Sequence, residues 1–321
     1  MLNNKYIDRI AAVFSTGEER RECHRMAAPI LAEMAKDQEL LFEVIRRNLE
    51  AGNYCTDKKT TVIDFEIAEN YLFSLRAHCF MPLPGREPLV SHQSIHHHGN
   101  LLLTTTAVFG EKYKSILFKK GIVRQADNSF SLRIEKIYDF RKGDMEFIDS
   151  YQPHIVFIPE SLLITFVLWS PDKKYAFHKI KSHPVIRILK RPLKYALRMV
   201  GASNKLGVNN VEGFDYYPVN GKIYCLNERN EVPFPRPKEN YIQNLFYILQ
   251  EVGFHDMTFL DSLSEKIPAA DFAIMQPWIS KLRNKEPITD AFVPEHIGIE
   301  KVNLHFADIV ACFTDQPETI S

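Results

Sequence analysis

The sequence has no surplus of either charge. Lysine and arginine number 40 and aspartate and glutamate number 40, so bulk electrostatics give no reason to expect nucleic acid or an anionic membrane as the main partner. Cysteine is sparse. Cys23, Cys55, Cys79, Cys225 and Cys312 are scattered, odd in number and never spaced as Cys-x-x-Cys. That argues against a disulfide scaffold or a cysteine-rich zinc site and leaves reduced thiols in a cytoplasmic protein as the simplest reading. Long apolar runs are missing as well. Leu162 to Trp169, the most apolar stretch near the middle, falls well short of the ~20 residues that a membrane-spanning helix needs, and the N-terminus carries charges inside its apolar stretch, unlike a signal peptide. No G-x-S-x-G, P-loop, HExxH or dinucleotide glycine fingerprint occurs, and there is no internal repeat or low-complexity tract. The remaining composition, 45% hydrophobic and 25% charged over 321 residues, describes a soluble globular chain of one large domain or two ordinary ones.

Periodicity divides the chain. Residues 1–58 read as a helical N-terminal extension. Leu40, Leu41, Val44, Ile45 and Leu49 share one helical face, Gly52 is placed to end that helix, and an earlier helix over Glu18–Lys36 is expected to kink or split at Pro29. From 59 to 172 the pattern becomes short β-favouring runs: Thr60–Phe65, Asn70–Phe80, Val90–His98, Leu101–Phe109, Tyr113–Phe118, Phe130–Tyr138 with Phe130, Leu132, Ile134 and Ile137 apolar between polar neighbours, His154–Ile158 and Leu162–Trp169. Tight turns and no helical pattern between them predict an antiparallel sandwich or barrel rather than βαβ units. Residues 173–205 form a basic connector or helix without an acidic residue. The mixed region 206–321 is expected to pack on the barrel. It holds a hairpin around Asn220-Gly221, a stiff Val232–Pro237 tract, and an amphipathic helix over Asn240–Val252 with Tyr241, Leu245, Phe246, Leu249 and Val252 on one face and Gly253 as its stop.

Within the β-rich section stands His92-Gln93-Ser94-Ile95-His96-His97-His98-Gly99-Asn100. Residues two apart on a strand point the same way, so His96 and His98 share a face and His97 takes the other. His92 joins them on an unbroken strand, as a supporting donor or an alternative ligand. A third imidazole from a neighbouring strand would complete a mononuclear metal site, and His154 is the candidate. Three histidines leave coordination positions open for substrate and dioxygen or for an activated water. The bland alternative is a histidine-rich surface turn with His154 as a hydrogen-bonded core residue.

These residues resemble the cupin superfamily: a His-x-His motif, a glycine-containing turn, then a second motif with one histidine. The cupin glutamate that follows the second histidine has no counterpart in Gly99–Thr104, and Glu111 comes too late. The resemblance is therefore to three-histidine, cysteine dioxygenase-like cupins. Leu168-Trp169-Ser170-Pro171 is similar to the Leu-Tyr-Ser-Pro ending of the thiol dioxygenase strand. Trp169 replaces that tyrosine, Val167 replaces the histidine two residues earlier, and the crosslinking cysteine of the family would fall near Leu103, so neither relay nor crosslink can be built. The resemblance covers roughly residues 60–172. It implies a mainly β core, a cupin-like antiparallel jelly roll or double-stranded β-helix, and it leaves a homodimer open; the helical extensions at both ends are foreign to a minimal cupin and suggest a different or larger substrate.

The leading expectation is a mononuclear non-heme Fe(II) oxygenase or dioxygenase acting on a small organic substrate through His96, His98 and His154. No organic cofactor is expected. Arg76 could pair with a substrate carboxylate or phosphate, as could Arg133. Tyr113, Tyr138 and Tyr151 could donate to a metal-bound oxygen. Two rivals stand beside it. One is a Zn, Mn or Ni cupin hydrolase, isomerase or lyase. The other is a non-catalytic binding module that uses the basic 173–205 segment and the Pro-rich 232–237 tract.

Overall fold

Thirteen strands and seven helices are defined in the computed structural model, which describes residues 5–16, 18–52, 62–82, 87–91, 95–111, 113–121, 123–124, 126, 129–173, 212–217, 222–225, 238–289 and 304–314. One antiparallel sheet has five strands: β1 (Val62–Glu69), β2 (Ser74–Phe80), β4 (Leu101–Phe109), β9 (Met145–Ile148) and β11 (Leu163–Pro171), in the order β1-β2-β11-β4-β9. The second has eight: β3 (Ile95–His97), β5 (Tyr113–Phe118), β6 (Val123–Arg124), β7 (Ser129–Ser131), β8 (Ile134–Phe140), β10 (His154–Val156), β12 (Glu212–Tyr217) and β13 (Lys222–Cys225), in the order β6-β7-β13-β12-β3-β10-β5-β8. Counted in chain order, β2, β3, β4, β5, β8, β9, β10 and β11 fall as 1-8-3-6 in one sheet and 2-7-4-5 in the other. That interleaving is a jelly roll, a double-stranded β-helix, and the core is the cupin-like one the sequence predicts.

The two sheets face each other. Leu103, Ile148 and Val167 of the first share an apolar cluster with Leu117 of the second, and Phe80, Ala107 and Leu163 share another with Tyr113 and Phe140. Strand β11 shows why Leu162–Trp169 reads as a continuous apolar run. Its Leu163, Val167 and Trp169 face the sandwich interior, while Ile164, Phe166 and Leu168 face a helical layer. A strand covered on both faces loses the apolar–polar alternation of a half-exposed one.

That layer is built from α1 (Lys5–Ser15), α2 (Arg20–Met34), α3 (Gln38–Glu50), α4 (Lys238–Glu251), α5 (Met257–Lys266) and α6 (Ala269–Asn284). All five residues predicted for the face of α3 are buried, and Gly52 has φ +66° at its end. Asn48 ties α3 to β1: its amide donates to the Glu66 carbonyl and its oxygen accepts from the Glu66 N–H. In α2, His24 reaches Thr104 on β4 at 2.7 Å and Ser170 on β11 at 2.9 Å. In α4, Tyr241, Leu245, Phe246 and Leu249 are buried, followed by Gly253 at φ +74°. On the other side, Ile309 and Phe313 of α7 (Phe306–Thr314) cover Ile95, Ile116, Phe118, Ile155 and Phe157 of the second sheet.

Three expectations need correction. Pro29 does not split the helix: α2 is one element from Arg20 to Met34 with Pro29 inside it; burial of Ala27, Ile30 and Leu31 against the core outweighs one lost helical hydrogen bond. The Val90–His98 run does not reach His98 as a strand: β3 is Ile95–His97, Val90 and Ser91 bridge His305 and Phe157, and residues 92–94 lie outside the described residues. The Phe130–Tyr138 run divides into β7 and β8, and Ile137 is 40% exposed on the outer strand of the second sheet. The two strands expected on either side of Asn220-Gly221 pair antiparallel, with Tyr217 opposite Lys222, and the turn between them lies outside the described residues. The basic segment beyond Lys173 and the 232–237 tract lie outside the described residues.

Candidate metal centre

His96 is directly opposite His154 where β3 pairs with β10, and their rings lie 4.4 Å apart. His98 sits one residue beyond the end of β3, at the Gly99–Asn100 turn, where Gly99 has φ +62°. Its ring returns to the same face, 4.9 Å from His96 and 4.7 Å from His154. One ligating atom from each of the three histidines lies within 4.8 Å of the others, and this is the only such cluster among the described residues. His98 Nε2 and His154 Nε2 are 3.1 Å apart. Two nitrogens each ~2.1 Å from one ion, at roughly a right angle, would stand about 3 Å apart, so the donor set fits a first-row divalent metal.

Protonation supports that fit. Burial pushes His154 down to about 4, despite the Gln152 carbonyl that favours its charged form. Burial and then the neighbouring His154 and His96 push His98 well below the ordinary histidine value. Both are therefore neutral near pH 7, the state in which imidazole binds metal. The Gln152 carbonyl lies 3.3 Å from His154 Nδ1. A carbonyl only accepts, so Nδ1 carries the proton and Nε2 keeps its lone pair for a metal. His97 faces away, as its strand position predicts; its Nδ1 accepts from the Gly99 amide at 3.0 Å and its ring packs 5.5 Å from Tyr151.

The histidines His98 and His154 open into a cavity of about 470 Å³ between the sheets. Its wall is largely apolar, with Leu101, Leu103, Ile148, Val167 and Trp169 near the histidines. Trp169 meets His98 edge-on at 4.5 Å. Leu101 and Leu103 occupy the window where cupins commonly carry a glutamate ligand, so no carboxylate reaches the metal position from β4. Arg76, opposite Val167 where β2 pairs with β11, also lines the cavity, but its guanidinium donates to Asp64 at 2.8 Å and Glu69 at 2.9 Å. Tyr113 lines the cavity, and burial followed by the nearby Glu146 drives its phenol well above the usual value, so it stays protonated. Tyr138 stacks on Phe140 at 5.0 Å and is not among the lining residues. Arg133 and Tyr151 are exposed and line nothing there. His92 lies outside the described residues.

Sequence reasoning missed Glu146. It lies on β9 opposite Thr105, is 2% exposed, lines the cavity, and accepts a hydrogen bond from Ser115 Oγ at 3.0 Å. Burial raises its carboxyl to about 7 against the opposing Ser115 bond and Lys136 charge. The signal was alternation: Glu146 and Ile148 share a face of Met145–Ile148, and Ile148 points inward. Thr165, opposite His78 on β2, adds a buried hydroxyl to the same cavity with no partner among the described residues.

No family model matches the sequence, and no curated protein does. Solved structures similar to it include two that are cupins by name and one lyase. An RmlC-like cupin from Shewanella frigidimarina NCIMB 400 aligns at 13% identity over 35% of this chain and 78% of that one, with TM-score 0.24. The Schizosaccharomyces pombe Cnp3 cupin domain aligns at 5% identity over 35% and 65%, with TM-score 0.24. The DMSP lyase DddQ from Ruegeria pomeroyi DSS-3 aligns at 14% identity over 32% and 41%, with TM-score 0.22, so less than half of the lyase's length is spanned. These likenesses add no weight to the strand order, on which the fold rests. No helix among the described residues is long and apolar enough to cross a membrane.

Proposed function

We propose that the chain is a metal-dependent enzyme that acts on a small organic substrate at His96, His98 and His154. The observation that carries this reading is the convergence of three imidazoles, their ligating nitrogens within 4.8 Å of one another, two of them lining a 470 Å³ cavity large enough for a small molecule. A divalent ion there would supply a Lewis acid with open positions and, in the case of Fe(II), an electron path to dioxygen. Everything else is the work of the chain. Trp169, Leu103 and Val167 shield the histidines from bulk water. Tyr113 offers a fixed hydroxyl donor to a substrate oxygen. Arg76 is held by Asp64 and Glu69, so we assign it to shaping the cavity wall rather than to pairing with a substrate anion.

The three-histidine set without a carboxylate ligand supports the Fe(II) oxygenase reading. A second reading, a Zn, Mn or Ni hydrolase, isomerase or lyase, is favoured by Glu146, a carboxyl in the same cavity that can exchange a proton near neutral pH. Elemental analysis of anaerobically purified protein tests the common part. About one metal per wild-type chain, lost in His98→Ala, is expected; retention of full metal content by that variant would overturn it. Turnover that stops without dioxygen selects the oxygenase, and turnover that persists selects the second reading.

A further inference from the structure

Each polar group around the cavity can be asked whether it is free to move a proton. His98 and His154 are committed as ligands. Asp64 is held by Arg76 at 2.8 Å, with His78 beside it at 3.8 Å. The Tyr113 phenol is locked in its protonated form. Glu146 differs from all of these. Its only hydrogen bond among the described residues comes from Ser115 to Oε1, which leaves Oε2 to the cavity that His98 and His154 also line. The titratable groups that face it are Tyr113 on β5 and Tyr138 and Lys136 on β8. Only Lys136 carries charge at neutral pH, and it lies on the exposed outer strand.

We propose that Glu146 is the catalytic proton-transfer residue of this cavity, and that its substrate is a small carbon acid, a molecule with a carbonyl oxygen and a C–H bond on the adjacent carbon. This rests on the metal-enzyme reading above and extends it. In the step, the Glu146 carboxylate takes the proton from that carbon. The C–H electron pair becomes the carbon–carbon double bond of an enolate, and the carbonyl π pair moves onto oxygen, within reach of the Tyr113 hydroxyl as donor. The proton then returns to the opposite face of that carbon, which inverts it in an isomerisation, or the enolate electron pair forms a double bond to the next carbon and expels its leaving group, which departs with the proton that Glu146 holds. Neither course uses an oxidant or reductant. The apolar wall around the carboxyl keeps the proton on a group whose affinity for it is matched to neutral pH.

The test uses the full chain as wild type, Glu146→Gln and Glu146→Asp, each loaded with Zn(II), Mn(II) or Fe(II). Infrared difference spectra between about pH 5 and about pH 9 should show a protonated-carboxyl stretch that disappears near neutrality in wild type and is absent in Glu146→Gln. In heavy water, a panel of 2-oxo acids, 3-oxo esters and hydroxyketones is followed by proton NMR for exchange at the adjacent carbon. Wild type should exchange at least one member. Glu146→Gln should be slower by roughly 100-fold or more, with part of the rate kept in Glu146→Asp. Metal content should be the same in all three proteins. If none of them binds metal, the metal-enzyme reading fails and this inference with it. If metal binds but Glu146→Gln exchanges like wild type, keeps the infrared band, or wild type exchanges nothing in the panel, the role of Glu146 is overturned while the metal centre stands.

Discussion

Trp169 lies directly opposite Leu103 where β11 pairs with β4, and both line the cavity onto which His98 and His154 open. The indole stands 4.5 Å edge-on to His98 and so fixes that ring from the side. Trp169→Ala should weaken metal binding by roughly 10–100-fold, the effect typical of groups that orient a ligand, and destabilise the fold by about 3 kcal/mol through the void it leaves. Metal titration and denaturant unfolding measure the two effects separately. Unchanged metal affinity would remove Trp169 from the site.

His24 bridges Thr104 and Ser170 across the interface of α2 and the first sheet, and burial holds it neutral down to about pH 3. Its folded pKa lies below the unfolded value of about 6.5, so the unfolded chain binds the proton first. Stability from this residue is full above about pH 6.5 and declines as pH falls toward 3. Metal-free His98 and His154 slope the same way. Urea midpoints should drop between about pH 7 and about pH 5, and His24→Gln should flatten that drop; an identical slope in the variant would count against this origin.

Glu146 predicts the opposite slope. Its folded pKa of about 7 lies above the usual carboxyl value, so its contribution is intact below about pH 4.5 and is lost as pH rises through 7. Glu146→Gln should therefore be more stable than wild type by about 3 kcal/mol at pH 8 and nearly equal to it at pH 4.5. Thermal unfolding of metal-free protein at the two pH values decides the sign.

Asn48 satisfies both backbone groups of Glu66 beside the register shift between Glu66 and Ala68. Asn48→Leu keeps the volume and strands a buried donor and acceptor, so a loss of roughly 2–4 kcal/mol is expected. A calorimetric melting temperature within a degree or so of wild type would mean that water takes over both bonds.

What the sequence disclosed follows from period and punctuation. Leu101–Phe109 and Tyr113–Phe118 were legible to the residue because Gly110 separates two β-favouring runs; its φ of +96° and the Leu162 carbonyl, 2.4 Å from where a Cβ would sit, leave room for glycine alone. His96 and His98 were legible because alternate residues share a face. The opposition of His96 and His154 depended on which strands pair, which local pattern does not encode. Glu146 escaped because a lone carboxylate in a short strand looks like a solvent-facing residue until its inward neighbour Ile148 is placed. The joining of β12 and β13 to the second sheet through β3 and β7 was equally hidden, since the partners lie far apart along the chain.

Strands β2 and β11 are neighbours in the first sheet although they open and close the jelly roll. During synthesis, β2 can pair with β1 at once but must wait for the chain to emerge as far as Pro171 before it has its second partner, and the imidazole of His154 arrives shortly before. A nascent chain that ends ahead of that point presents His96 and His98 to the medium without the third donor or the wall that shields them. If the three histidines hold an ion, as proposed above, its loading would be coupled to completion of the barrel, and its binding would add stabilisation to a slow, long-range closure.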